Sequence, residues 1–335
     1  PLLVFLTPLI FTSSTNELYE FPKMFFIYIL GGTVIFLFMV GSIVRAKPLK
    51  VPPVYVTVFM ISYIVSTIFS SHIYTSVWGY YTRFNGGLIS VLILFGLYVV
   101  MLNVFNKTDF KSIFYILSLT LLPVSFYSIY QHLQGIQRVY STFGQPNWLA
   151  AYVVMVFPIV LDFYFKHRRS LFKNLLFFSS FIIGFVSLWF SSSISGLLGF
   201  LGGSVFYLHL NHYVIKDNKR KALVVLIACL IIILSFPSFL LKRAGDVLYD
   251  TKNIISESSL VYAETIPVKR NVSDPGVIRF GMWRSTVNLI FSSPKIFLIG
   301  TGPETFPYVY QKFRDTSQNY SSEWSYIINK PQNYY

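Results

Sequence analysis

The chain is 335 residues long, 54% apolar, 19% aromatic and only 12% charged, which excludes an ordinary soluble globular protein. Its formal net charge of +14 would point to nucleic acid in a soluble chain, but most of the excess sits in short loops between apolar runs, where it serves topology and contact with anionic lipid. The single cysteine, Cys229, lies inside an apolar run and rules out a disulfide framework or a cysteine-based metal site within the chain.

In chain order, residues 1–11 read as the end of a first membrane helix. A polar loop follows, with Glu17 and Glu20 as its only compact acidic pair, a weak metal signal. Apolar runs then occupy roughly 24–44, 53–70, 86–104, 112–132, 148–165, 174–190, 194–210 and 222–241, and none contains Lys or Arg. Each approaches the ~20 residues that a helix needs to cross a bilayer.

The loops between these runs alternate in basic charge. Residues 45–52, 105–111, 166–173 and 211–221 are rich in Lys and Arg, with only Asp109 and Asp217 as acids. The loops between them carry Lys23, Arg83 or Arg138 alone, or at 191–193 no basic residue. This is the positive-inside pattern of a multi-pass membrane protein. It expects the basic loops in the cytoplasm and residues 242–335 outside. The expected organisation is a helix bundle over 1–241 and a large extracytoplasmic loop region over 242–335. Pro1 opens in an apolar stretch too short to span, and Tyr335 closes a polar region, so the chain reads as a fragment truncated at its C-terminus.

Within the large loop one helix is legible. Asp274 is a plausible N-cap, Pro275 occupies the first helical position, and Ser292-Ser293-Pro294 stops the run. Phe280, Trp283, Val287, Ile290 and Phe291 recur at helical spacing, flanked by Arg279 and Arg284. Such a helix would lie along the outer membrane surface or pack on the bundle.

Four segments expected outside are candidates for chemistry: WGYYTRFNGGL around Arg83; RVYSTFGQPNWLAAY, with Arg138 before a turn and Asn147 opening the next helix; the loop helix with Arg279 and Arg284, continuing into LIGTGPETF; and the terminal NKPQNYY. Arginine suits pyrophosphate because its planar fork is always charged and binds bidentately. A helix N-terminus after Asn147 would add backbone donors toward an anion. The bland alternatives are lipid-phosphate contacts for single arginines, interfacial belts for Trp78, Tyr80 and Tyr81, and a simple turn at Gly300 and Gly302. Asp162 is expected to pair with Lys166, and Ser191, Ser192, Ser193 and Ser195 to form a tight hairpin. His72 and His132 face outside but lack ligand spacing.

Taken in order, RVYSTFGQPNWLAAYVVMVFPIVL, SSSISGLLGF and IRFGMWRSTVNLIFSSPKIFLIGTGPETF resemble the O-antigen ligase and O-antigen polymerase family of bacterial envelope glycosyltransferases. The resemblance covers residues 138–306 and implies an all-α, polytopic fold in the bacterial cytoplasmic membrane. It implies transfer of a glycan from an undecaprenyl-pyrophosphate carrier to a glycan, lipid or protein acceptor, with membrane lipid but no nucleic acid as partner. Ligase, polymerase and protein-glycosylating members are not separated by these strings. No metal and no cofactor are expected. By resemblance Arg138 and Arg279 hold the pyrophosphate, with Arg83, Arg284, Asn147 and Asn333 as further substrate-binding candidates.

The chain departs from the family in two places. Gln332 stands where the family usually has histidine; it can orient an acceptor hydroxyl but cannot take up a proton at neutral pH. Ile194 stands where the hairpin often carries arginine. From other functional classes, a transporter or flippase is disfavoured by the lack of repeats and of Lys or Arg in the spans. A non-catalytic scaffold or sensor is kept open by Gln332.

Overall fold

The computed structural model describes residues 1–46, 48–166, 170–236, 275–316, 318, 325, 327–328 and 330, with the side chains of 275–277 excepted. The described residues are helical, without strands, and fall into two compact units. One comprises the described parts of Pro1–Ile27 and Phe105–Ala244; the other comprises those of Tyr28–Val104 and Gly245–Tyr335. The junction near residue 244 lies close to the compositional change after 241, but residues 28–104 cluster with the later region rather than with the other apolar runs.

The helices are α1 (Leu2–Leu6), α2 (Glu20–Arg45), α3 (Val54–Ile68), α4 (Ile73–Trp78), α5 (Leu88–Val104), α6 (Lys107–Leu133), α7 (Pro146–Lys166), α8 (Leu171–Ser191), α9 (Ile194–Leu210), α10 (His212–Lys216), α11 (Lys219–Ser235), α12 (Pro275–Ile290), α13 (Pro294–Ile299) and α14 (Phe306–Tyr310). Each of the eight apolar runs after residue 20 overlaps one of them, the last only as far as Ser235, since 237–241 lie outside the described residues. Four, α2, α6, α7 and α8, are long and apolar enough to cross a membrane; α3, α5 and α9 are shorter apolar helices. The first helix is only a single turn and a half, and the backbone turns at residues 7–9.

Local chemistry sets the ends. Asn106 caps α6 by accepting from the Thr108 and Asp109 amides at 2.9 and 3.1 Å, while Asp109 accepts from the Asn106 amide at 3.0 Å. That reciprocal box satisfies donors the helix cannot use itself. Ser170 and Ser193 cap α8 and α9 by accepting from the Lys173 and Gly196 amides, with Ser192 in the left-handed region between α8 and α9, so the serine run is the expected hairpin. Asp162 pairs with Lys166 at 2.6 Å, one turn apart at the end of α7. Glu17 accepts from the Tyr19 and Phe21 amides at 3.1 and 2.6 Å and so caps the start of α2.

In the first unit α7 is central, packed by α6, α8 and α9. Phe157, Phe177, Phe181, Phe185, Leu121, Leu149 and Val153 are almost wholly buried there. Small and hydroxylated residues allow close approach. Ser128 donates to Ser187 at 2.7 Å between α6 and α8, and Thr120 pairs with Tyr152 at 2.6 Å between α6 and α7. Interfaces within a membrane rely on such contacts because lipid supplies no hydrophobic drive between helices. In the second unit α2, α3 and α5 leave large apolar side chains exposed, among them Phe36, Ile43 and Ile61. Apolar surface of this extent marks a contact with membrane or protein.

Gly184 on α8 shows how tight this packing is: a Cβ there would lie 2.9 Å from both Leu121 and Phe157, whereas at Gly41 on α2 it would meet nothing within 4 Å. Gly184→Leu is therefore expected to destabilise the protein by about 1–3 kcal/mol through overpacking, while Gly41→Leu is near neutral. Unfolding by SDS titration from mild detergent measures both; equal effects at the two positions would contradict the assignment of α8 to the core.

Candidate functional site

In the first unit, the turn carrying RVYSTFGQPN is built around one buried side chain. Gln131, in the last turn of α6, accepts from the Tyr140 and Ser141 amides at 3.2 and 2.7 Å and donates to the Ser141 carbonyl at 3.4 Å. Ser141, at φ +50°, donates through Oγ to the Val124 carbonyl at 2.6 Å. Thr142 donates to the Pro8 carbonyl at 2.6 Å. The ammonium of Lys23 donates to the carbonyls of Ile10 and Thr142, both at 2.6 Å, and lies 5.5 Å from the centre of the Phe143 ring. Tyr19 packs on Gly144, where any Cβ would collide with its ring. Burial first, and a hydrogen bond with Tyr140 second, push the Tyr19 phenol up to about 12, so it stays neutral.

Arg138 and Asn147 bracket this turn. Arg138 is partly buried. Asn147 accepts from Ser193 Oγ at 2.9 Å, tying the start of α7 to the serine hairpin. Gly196 makes that approach possible, since a Cβ there would stand 2.5 Å from Ala150 Cβ. The amides of Trp148 and Leu149 both donate to the Gln145 carbonyl at 3.1 Å, so part of the first turn of α7 is capped internally. His132 stacks on Phe190 with ring centres 3.7 Å apart, and its buried Nδ1 has no hydrogen-bond partner among the described residues.

In the second unit, the loop WGYYTRFNGGL closes on itself. Gly79 has φ +90° and Gly86 φ +75°, and a Cβ on Gly87 would sit 2.3 Å from the Gly79 nitrogen. Only glycine permits that backbone-to-backbone contact. Tyr28 of α2 donates to the Phe84 carbonyl and Tyr63 of α3 donates to the Gly86 carbonyl. Arg83 is partly buried at the loop tip; its amide donates to the Tyr80 carbonyl at 2.9 Å. Burial is the largest influence raising the Tyr80 phenol, and the Arg83 charge opposes it.

The GTGPETF segment docks on the same region. The amide and hydroxyl of Ser71 donate to the Thr301 carbonyl at 2.9 and 3.0 Å, and Ser76 donates to the Pro303 carbonyl at 2.9 Å. His72 stacks on Tyr308 at 4.6 Å. Glu304, mostly buried, lies against Gly86 and pairs with Lys330 at 3.2 Å. One carboxylate thus links the first, third and fourth candidate segments. Arg279 and Arg284 are exposed on α12, with Arg284 4.0 Å from Asp315. Gln332 and Asn333 lie outside the described residues.

Arg138 and Asn147 therefore share one turn in the first unit, and Arg83, Arg279 and Arg284 belong to the second. The chain matches no family model, no curated protein and no solved structure.

Gln131, Lys23 and Glu304 carry these turns and were not singled out by sequence. Gln131 lies inside an apolar run, where its only signal is that a polar amide there needs a partner. The identity of that partner is not written in the local pattern. Gln131→Leu leaves two amides without acceptors, and an expected loss of about 1–3 kcal/mol follows. Hydrogen exchange should accelerate selectively at Tyr140 and Ser141, with Gln131→Glu retaining most protection. Unchanged exchange at both amides would show that the turn holds without the side chain.

Proposed function

We propose that the chain is a membrane glycosyltransferase that moves a glycan from an undecaprenyl-pyrophosphate carrier to an acceptor outside the cytoplasmic membrane, in the manner of O-antigen ligases. One observation carries the reading: the strings that resemble those enzymes fold into hydrogen-bonded polar turns at the ends of apolar helices, with arginines on or beside them.

The chemistry required is modest. The bond from the sugar's anomeric carbon to the pyrophosphate oxygen breaks, and a bond from that carbon to the acceptor oxygen forms. The carrier leaves as undecaprenyl pyrophosphate, and the proton of the acceptor hydroxyl passes to water. Arg138 and Arg279 are assigned to the pyrophosphate, where negative charge develops on the leaving group; fixed positive groups there lower the barrier. Gln332 is assigned to orient the acceptor hydroxyl.

Arg138→Ala and Arg279→Ala are each expected to lose on the order of 2–4 kcal/mol of transition-state stabilisation while inserting normally. Lysine restores activity only in part because it lacks the bidentate fork. Transfer from purified lipid-linked donor is the assay, and full activity in either alanine variant refutes that residue's role.

The reading also requires an orientation. In a Cys229→Ala background, a cysteine at Ser292 should react with a membrane-impermeant maleimide in intact cells, and one at Lys216 only after permeabilisation. The reverse pattern would put the candidate turns on the wrong side of the membrane for this chemistry.

A further inference from the structure

The helix α12 presents two apolar faces. At about 100° per residue, Ile278, Met282, Ser285 and Leu289 share one side, and Phe280, Trp283, Val287, Ile290 and Phe291 the opposite side. The first side is buried against Tyr310, Phe306 and Ile328. The second is open: Phe280 is 58% exposed, Val287 50% and Phe291 69%. It continues into α13, where Phe297 stacks on Phe291 at 5.5 Å and Leu298 is 78% exposed. Arg279 and Arg284 stand on the two borders between the faces, and the exposed Lys295 lies at the turn into α13.

The level of α13 relative to a bilayer follows from its neighbour. Within this unit α13 packs beside α3, and Leu298–Pro303 border a groove of about 470 Å³ whose other wall is Ser62, Tyr63, Val65 and Ser66 of α3. Gly300 lies against Ser66, with the position of a Cβ 3.7 Å from its hydroxyl. Ser66 and Ser62 precede the end of α3 by two and six residues, so this wall lies about 3–9 Å inside that end at 1.5 Å per residue. With 15 residues, α3 is about 22 Å long, less than the ~30 Å hydrocarbon thickness. With α3 seated as a membrane helix, anything beside its last two turns is at acyl or headgroup depth.

We propose that α12 and α13 form an interfacial hairpin whose open stripe is seated in the phospholipid leaflet that receives the C-terminal end of α3. The stripe holds the aromatic and aliphatic side chains favoured at the acyl–headgroup boundary, and its basic borders match anionic phosphates. Arg279 and Arg284 reach upward along the helix flanks while their stems stay apolar. The exposed apolar surface of α3, including Ile61, Ile64 and Ile68, continues the same lipid contact. This inference requires only that α3 is a membrane helix; it stands whether or not the chain transfers glycans.

Spin labelling of the full chain tests it. Single cysteines replace Val287, Phe297, Ser285 and Gln311 in the Cys229→Ala background, carry a nitroxide, and are reconstituted in phosphatidylethanolamine–phosphatidylglycerol vesicles. At Val287 and Phe297, collisions with oxygen are expected to exceed those with a water-soluble nickel chelate several-fold. At Gln311 the order reverses, and at Ser285 both are low. Nickel access at Val287 and Phe297 equal to that at Gln311 overturns the proposal in favour of water. Exclusion of both reagents overturns it in favour of a protein partner or a second copy. Retention of the elution profile of the unlabelled protein identifies variants that fold.

Discussion

A peptide group in hydrocarbon has no water to bond, and leaving it unpaired costs several kcal/mol. This constraint organises the chain. Among the described residues the apolar runs lie in helices that satisfy their own backbone, and some irregular stretches between them are met by side chains of those helices. The turn around Gln131 and the closed loop at 79–87 are two such places. In each, donors from the helices themselves, Gln131 in one case and Tyr28 and Tyr63 in the other, complete the bonding that the turn lacks.

How far the fold was legible follows from the same physics. Helices of the bundle are written as apolar runs bounded by Lys and Arg, so their positions were readable to within a few residues. The grouping of α2, α3 and α5 with the later region was not, because lipid-facing helices carry no local signal for which neighbours they touch. For α12 the sequence showed the apolar stripe but misdirected attention from the core. Its protein-packed side carries Ile278, Met282 and Leu289 but is interrupted by Ser285 and flanked by Gly281, so it registers less than the aromatics on the open side.

The candidate site was legible as motifs and illegible as geometry. Arg138, Asn147 and the hairpin serines stood out as strings, and the Asn147–Ser193 bond joins two of those strings directly. Glu304 looked like one more residue in a glycine-rich turn. Its significance lies in a mostly buried carboxylate that meets Gly86 and Lys330, positions 218 and 26 residues away along the chain. Separations of that order are beyond any periodic pattern.

The enclosure of α7 has a consequence for how the protein tolerates change. The open face of an apolar helix such as α2, away from the side where Gly31 and Ile35 meet α5, is selected for polarity, and one apolar side chain serves there about as well as another. Because α7 is walled by α6, α8 and α9, its residues are selected for volume and shape, as in the core of a water-soluble protein. Substitutions that preserve hydropathy but alter size should therefore be accepted on the open face of α2 and rejected along α7, and a survey of permitted residues would distinguish the two kinds of surface without reference to any activity.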